Sequence, residues 1–318
     1  MPDGHFTPSD FHDRPGRVDP SARINEMAAD GVDGEVLYPS LALELFALDD
    51  ASLQEQTFSR YNSWLMEFCQ VKPEALIGIG LISMYNTDVG VKELERCARG
   101  GLRGCQIWQS PHASLPFSGS HYEPFWEAAA SLNMPVSLHI LTGFNYSSNR
   151  NRKETSKIKD PIERSIEGYK GSVIRKLDAA CDAMVDIMFS GALDRHPNLK
   201  LVTVENEIGW IPFVLDQFDY YCNRFRESRQ TGMSKLPSEY FGSQVFSTFF
   251  RDPIGMKLLG WWKGVDGCMW SNDYPHPNST WPHSQEIVAE NLGYLDPEIY
   301  RKVVRDTAIN LYALHEAR

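Results

Sequence analysis

Three residues of acid/base or metal-ligand type stand at comparable places in this chain: His139 in PVSLHIL, Glu205 closing LKLVTVE, and Asp273 just after GCMWS. Each lies at or near the end of a short apolar run that gives way to a polar loop. A neutral imidazole with one or two carboxylates can hold a divalent cation and bring the pKa of its bound water toward neutrality, or can move protons directly. Each residue also has a purely structural reading. A lone His in an apolar strand often serves as a hydrogen-bonded core residue, an acid before a helix suits its N-terminus, and Asp273 could cap a turn or the next helix. What sets the three apart is that they share one kind of position.

Strands are predicted at 35–38, 75–82, 102–108, 135–141, 199–205, 244–250 and 267–271. Between them apolar residues recur at helical spacing, as in Phe58, Tyr61, Leu65 and Phe68 of 51–70 and Val91, Leu94 and Cys97 of 87–98. Further helices are predicted at 121–132, 173–193, 209–226, 253–261, 284–292 and 297–314, with a long polar insertion over 145–165. Near-continuous apolar strands separated by helices make an α/β protein with a parallel sheet, and seven of them favour a TIM-like (β/α)8 barrel over an open sheet. A closed barrel wants eight strands. Nothing before Pro20 reads as one, so the expectation is a distorted barrel lacking its first strand, a single domain over 1–318 with an irregular arm at about 1–20.

In such a barrel the groups at the C-terminal strand ends converge on one site. Those ends carry Tyr38, Trp108 and Gln109, His139, Glu205, Arg251 and Asp252, and Asp273. Trp108 and Arg251 are candidate substrate contacts, and His276 in the loop after Asp273 could reach the same pocket. His5 and His12 in the arm have no metal-motif spacing, and His196 falls in a helix-to-strand turn on the opposite face.

With 31 basic and 42 acidic residues the net charge is −11, which argues against nucleic acid or an anionic membrane as partner and leaves a small molecule. No apolar run approaches the roughly 20 residues of a membrane span. The polar N-terminus is not a signal peptide, and six scattered cysteines without a CxxC pair read as reduced thiols, so a cytoplasmic protein is expected. The aromatic-rich helices suggest a homo-oligomer.

Four segments, GVDGEVLYPS at 31–40, MPVSLHILTG at 134–143, LKLVTVENEIGWIP at 199–212 and MWSNDYPHPNSTWP at 269–282, together resemble the amidohydrolase-related group of the amidohydrolase superfamily. That group includes aromatic-acid and aminocarboxymuconate-semialdehyde decarboxylases. The resemblance implies a distorted (β/α)8 barrel with one divalent metal, zinc being expected. It implies that His139 matches the metal-binding His of the family's fifth strand and Asp273 the Asp of its eighth, a ligand or proton-transfer group. Where decarboxylase members carry a His on the sixth strand, this chain has Glu205. The family's N-terminal HxH pair has no counterpart in the chain, so either the coding start is placed too late or the metal is lost or held differently.

The reading that follows is a metal-dependent enzyme that hydrolyses or decarboxylates a small carboxylate-bearing or aromatic compound. Asp273 and Glu205 would be catalytic, His139 and Asp273 ligands, and Trp108, Arg251 and His276 substrate contacts. The alternatives are a catalytically silent, ligand-binding barrel and a metal-independent enzyme using His139 and Asp273 as an acid/base pair.

Overall fold

Seven strands, β1 (Glu35–Leu37), β2 (Leu76–Leu81), β3 (Gly104–Ile107), β4 (Val136–His139), β5 (Leu201–Val204), β6 (Val245–Phe249) and β7 (Cys268–Trp270), form one sheet in chain order. All six pairings are parallel, with Ser137 opposite Val202 and Val202 opposite Phe246 in the middle of the sheet. The coordinates, a computed structural model, describe residues 14–143 and 157–314. All seven predicted strands are present, each trimmed by a residue or more.

Alternate strand residues face opposite ways and build two cores. Ile77, Ile79, Val202, Val204, Phe246 and Met269 make a small cluster on the inner face, joined there by Tyr312 from the C-terminal segment. The larger cluster lies between the sheet and its helices, where right-handed crossovers must place them. The main helices are α1 (Pro20–Ala29), α2 (Ala51–Cys69), α3 (Thr87–Arg99), α4 (Glu123–Ser131), α5 (Pro161–Ser172), α6 (Ile174–Phe189), α7 (Ile211–Arg224), α8 (Ser284–Leu292) and α9 (Pro297–Arg301), with other short ones between, and among these all but α5 contribute to this core or pack against it. Asp19, Asp50, Asn86 and Asp160 cap α1, α2, α3 and α5 by accepting backbone N–H bonds in the first turn. No described helix is long and apolar enough to cross a membrane.

Helix α5 corrects the predicted polar insertion. Its N-terminal signal is the capping Asp160 ahead of Pro161, but its apolar residues Ile162, Ile166 and Tyr169 stay exposed, so no buried face announces it. Most of the predicted arm and of the insertion, with His5 and His12, lie outside the described residues; the end of the arm forms a 3-10 turn at Pro15–Arg17.

Among the described residues the sheet has two unpaired edges, β1 and β7. The C-terminal segment packs against β7, and the Tyr312 hydroxyl lies 3.0 Å from that of Tyr38 at the end of β1. This edge-to-edge gap frames the site.

Candidate active site

A cavity of about 830 Å³ opens beside β1 and β7 and reaches the ends of β5 and β6. Glu205, Asp273 and His276 meet in it, each offering a ligand atom within 4.8 Å of the other two. Tyr38, Ser40, Thr248 and Asn272 share the polar part of the wall, and Tyr61, Trp64, Phe68 and Trp270 supply aromatic surface elsewhere.

The backbone is bent to make this arrangement. Leu141, Glu205 and Asp273, just beyond β4, β5 and β7, all have positive φ, at +64°, +58° and +54°. A non-glycine residue in the left-handed region costs on the order of 1–3 kcal/mol, and such strain concentrates where a side chain must be aimed. Around Glu205 the bend is fixed by Asn206, which donates to the Val204 carbonyl at 3.0 Å and accepts from Gln109 Nε2 at 3.0 Å. The Glu205 N–H donates to Thr248 Oγ1 at 2.9 Å. Around Asp273, Asn272 Oδ1 accepts from the Tyr274 N–H at 3.2 Å, and the Asp273 carbonyl accepts from the His276 N–H at 2.9 Å.

His139 lies behind Glu205 and is 1% exposed. Its Nδ1 donates to the Ile140 carbonyl at 2.9 Å, and its Nε2 lies 3.1 Å from Glu205 Oε1. The Ile140 carbonyl can only accept, so Nδ1 carries hydrogen, and an ionised Glu205 accepts a second hydrogen from Nε2, which favours the imidazolium form. Burial alone would lower the His139 pKa, but the Glu205 carboxylate and the hydrogen bonds raise it overall. Burial opposes ionisation of Glu205, yet its pKa falls because His139 and His276 favour the charged form.

Asp273 responds the other way. Burial raises its pKa and Glu205 adds to the rise, outweighing the bond from His276. That bond runs from His276 Nδ1 to Asp273 Oδ1 at 2.7 Å, and Ser40 Oγ lies 3.0 Å from His276 Nε2. Burial would lower the His276 pKa, but Asp273 and Glu205 raise it on balance. Burial and charge thus push the two carboxylates apart: Glu205 toward its ionised form beside His139, and Asp273 toward keeping a proton beside His276.

Of the residues expected from the sequence, Glu205, Asp273 and His276 come together. His139 touches the group only through Glu205, its Nε2 being engaged there. Trp108 is not brought to the cavity. It is buried between β3 and α4, where its indole N–H donates to Tyr122 Oη at 3.0 Å. Arg251 is exposed, because Asp252 turns the chain away after β6 by capping the helix Pro253–Leu258 and accepting from Ile208 N at 2.9 Å. Ser40, Asn206 and Asn272 were not singled out as site residues, although Asn206 and Asn272 immediately flank the two carboxylates.

Two carboxylates and one imidazole within reach of a common point form an oxygen-rich donor set that fits a divalent ion such as Mn²⁺ or Zn²⁺. The chain is 24% identical over 261 residues to the 2-amino-3-carboxymuconate-6-semialdehyde decarboxylase of Dictyostelium discoideum, covering 81% of this chain and 67% of that protein. It is 21% identical over 283 residues to the gamma-resorcylate decarboxylase of Rhizobium sp. (strain MTP-10005), covering 80% and 76%. Its fold is similar to that of a dihydroxybenzoic acid decarboxylase from Polaromonas sp. JS666, solved with bound manganese and 2-nitroresorcinol. The TM-score is 0.76 at 19% identity, over 98% of this chain and 91% of that one. A family model described as Amidohydrolase matches residues 2–314, and the chain belongs to the amidohydrolase family.

Proposed function

We propose that this protein is a metal-dependent carboxy-lyase acting on a small aromatic carboxylate. The observation that carries the reading is the meeting of Glu205, Asp273 and His276 in one cavity with aromatic walls. The family context narrows the chemistry. Hydrolysis, which the sequence reading set beside decarboxylation, is less supported, since the two relatives named above are decarboxylases. Manganese displaces zinc as the expected ion, because the Polaromonas enzyme was solved with it and the donor set is rich in carboxylate.

Glu205, Asp273 and His276 would hold the ion. When bound, it supplies positive charge that draws in and orients an anionic substrate. Asp273 would deliver the proton, since burial and the Glu205 charge raise its pKa above the ordinary carboxylate value. Passing that proton to the ring carbon that bears the carboxylate interrupts the aromatic system there. The bond from this carbon to the carboxylate then breaks, its electron pair restores the ring, and carbon dioxide leaves. His276, 2.7 Å away, returns a proton to Asp273, and Ser40 holds the far side of its ring. His139 keeps Glu205 ionised and aimed, a role in place of the direct ligation expected from the sequence.

The acid–imidazole pair also favours one second reading, a metal-independent acid/base lyase, with His276 rather than His139 as the partner of Asp273. Dialysis against a chelator separates the two. The proposal expects activity to vanish and return on adding Mn²⁺, whereas activity that persists without metal would sink it.

A further inference from the structure

The loop that carries Asp273 and His276 is anchored by residues almost the whole chain away. Asn272 makes two opposed contacts: its Oδ1 accepts from the Tyr274 N–H at 3.2 Å, spanning the backbone of Asp273, while its Nδ2 donates to Glu35 Oε1 at 3.0 Å and lies 3.5 Å from Asp30 Oδ2. Glu35 is itself held by Arg23, whose Nε donates to Oε2 at 2.6 Å in a buried ion pair. The Arg23 guanidinium also lies 4.4 Å from the centre of the Tyr274 ring. The Tyr274 hydroxyl bonds Glu26, and Trp281 Nε1 donates to the Glu26 carbonyl at 2.9 Å. Asp30 closes the far end of the loop, accepting from the Ser284 N–H at 2.9 Å and its hydroxyl at 2.6 Å.

The amide of Asn272 can face only one way in this setting. Two carboxylates require a donor on one side, and the Tyr274 N–H requires an acceptor on the other. Because the Oδ1 bond bridges over Asp273, the orientation of that amide sets the turn in which Asp273 takes its positive φ.

We propose that Arg23, Glu35 and Asn272 form a positioning relay: α1 and β1 fix the Asn272 amide, and the amide fixes the backbone that aims Asp273 at Glu205. None of the three is a catalytic residue. The relay's effect on metal affinity rests on the proposed metal-dependent function, and its effect on the loop does not.

The discriminating substitution is Asn272→Asp, nearly isosteric, which places a third acid against Glu35 and Asp30. Its partner is the swap Glu35→Gln with Asn272→Asp, in which the amide introduced on β1 can donate to the new carboxylate and accept from Arg23, while that carboxylate still accepts from Tyr274. Two readouts apply to the purified full chain: Mn²⁺ affinity by calorimetric titration, and hydrogen exchange of the Tyr274 and His276 amides. Asn272→Asp is expected to weaken Mn²⁺ binding and to speed exchange at both amides by roughly ten-fold or more, the usual scale for losing support behind a metal ligand. The swap is expected to bring both back to within about three-fold of the unsubstituted protein, the coupling a contacting pair shows. Unchanged exchange in Asn272→Asp, or a swap no better than the single change, overturns the relay. If Asn272→Asp fails to fold, Glu35→Gln alone decides: faster exchange at Tyr274 and His276 supports the relay, and unaltered exchange overturns it. An unsubstituted protein that binds no Mn²⁺ counts against the metal-dependent function, while the exchange measurements still decide the relay.

Discussion

At the scale of single residues, the proposed chemistry rests on neighbouring carboxylates whose pKa values shift in opposite directions. Glu205 and Asp273 share one cavity, yet the pKa of Glu205 is lowered by the His139 cation despite burial, and that of Asp273 is raised. One stays charged and the other can carry a proton. A consequence is that His139 and His276 should fail differently. Removing the imidazole behind Glu205, as in His139→Leu, is expected to weaken Mn²⁺ binding by about 10–100-fold, the cost of losing support behind a ligand. His276→Leu removes one of the three donors and should leave no binding measurable in the same titration. Equal losses in the two variants would contradict this division. Sequence position alone put Glu205 and Asp273 at the ends of strands, because a strand end is legible from an apolar run that stops. It could not show that His139 spends its Nε2 on Glu205, since that depends on the turn after β5, where Glu205 takes its positive φ and Asn206 fixes the bend. Trp108 misled for a related reason. Its place after β3 resembles a site position, but the facing hydroxyl of Tyr122 draws it into the core.

At the scale of elements, side chains that complete another element's hydrogen bonding hold the frame. Asn62 of α2, fully buried, donates to the Leu81 carbonyl at 2.9 Å and accepts from the Leu81 N–H at 2.7 Å, tying α2 to the end of β2. Asn62→Ala would leave both backbone groups without their partner, at about 1–3 kcal/mol each. Urea unfolding should show a loss of that order. A second tie joins α4 to the turn before β5, where Glu123 accepts from Arg195 and lies 2.9 Å from His196 Nε2. The Arg195 hydrogen bond holds the Glu123 carboxyl below its ordinary value, against the opposing effect of burial. A depressed folded-state pKa contributes stability above the unfolded value of about 4.3, and that stability is lost as pH falls through the lower folded value. Glu123→Gln should therefore be less stable than the unsubstituted protein at neutral pH, and the gap should close in acid below about pH 4. A gap independent of pH would assign the effect to packing. The strands were legible because their apolar runs lie between Gly, Pro and polar punctuation, and α2 and α3 because each buries a stripe. Helix α5 buries too little for periodicity to reveal it.

At the scale of the whole molecule, the sheet and the site depend on joining its two edges. The C-terminal segment brings Tyr312 to Tyr38, and α1 with β1 holds the loop after β7. With Glu205 after β5 and Asp273 and His276 after β7 as the proposed ligands, ion binding should couple to global stability. A saturating ion stabilises by about 2.7 kcal/mol at a hundred-fold excess over its Kd. Chelated protein should thus melt several degrees below the Mn²⁺-loaded form, and coincident melting curves would argue against a site built from these elements. Decarboxylation with Asp273 as proton donor is the activity proposed for this cavity. Its most direct test is carbon dioxide release from 2,6-dihydroxybenzoate and related hydroxylated aromatic carboxylates by Mn²⁺-loaded protein and its Asp273→Asn variant. The expected result is release by the unsubstituted protein from at least one of these compounds and a loss of about 100-fold or more in the variant. No release from any of them, or release that survives Asp273→Asn, would contradict the account.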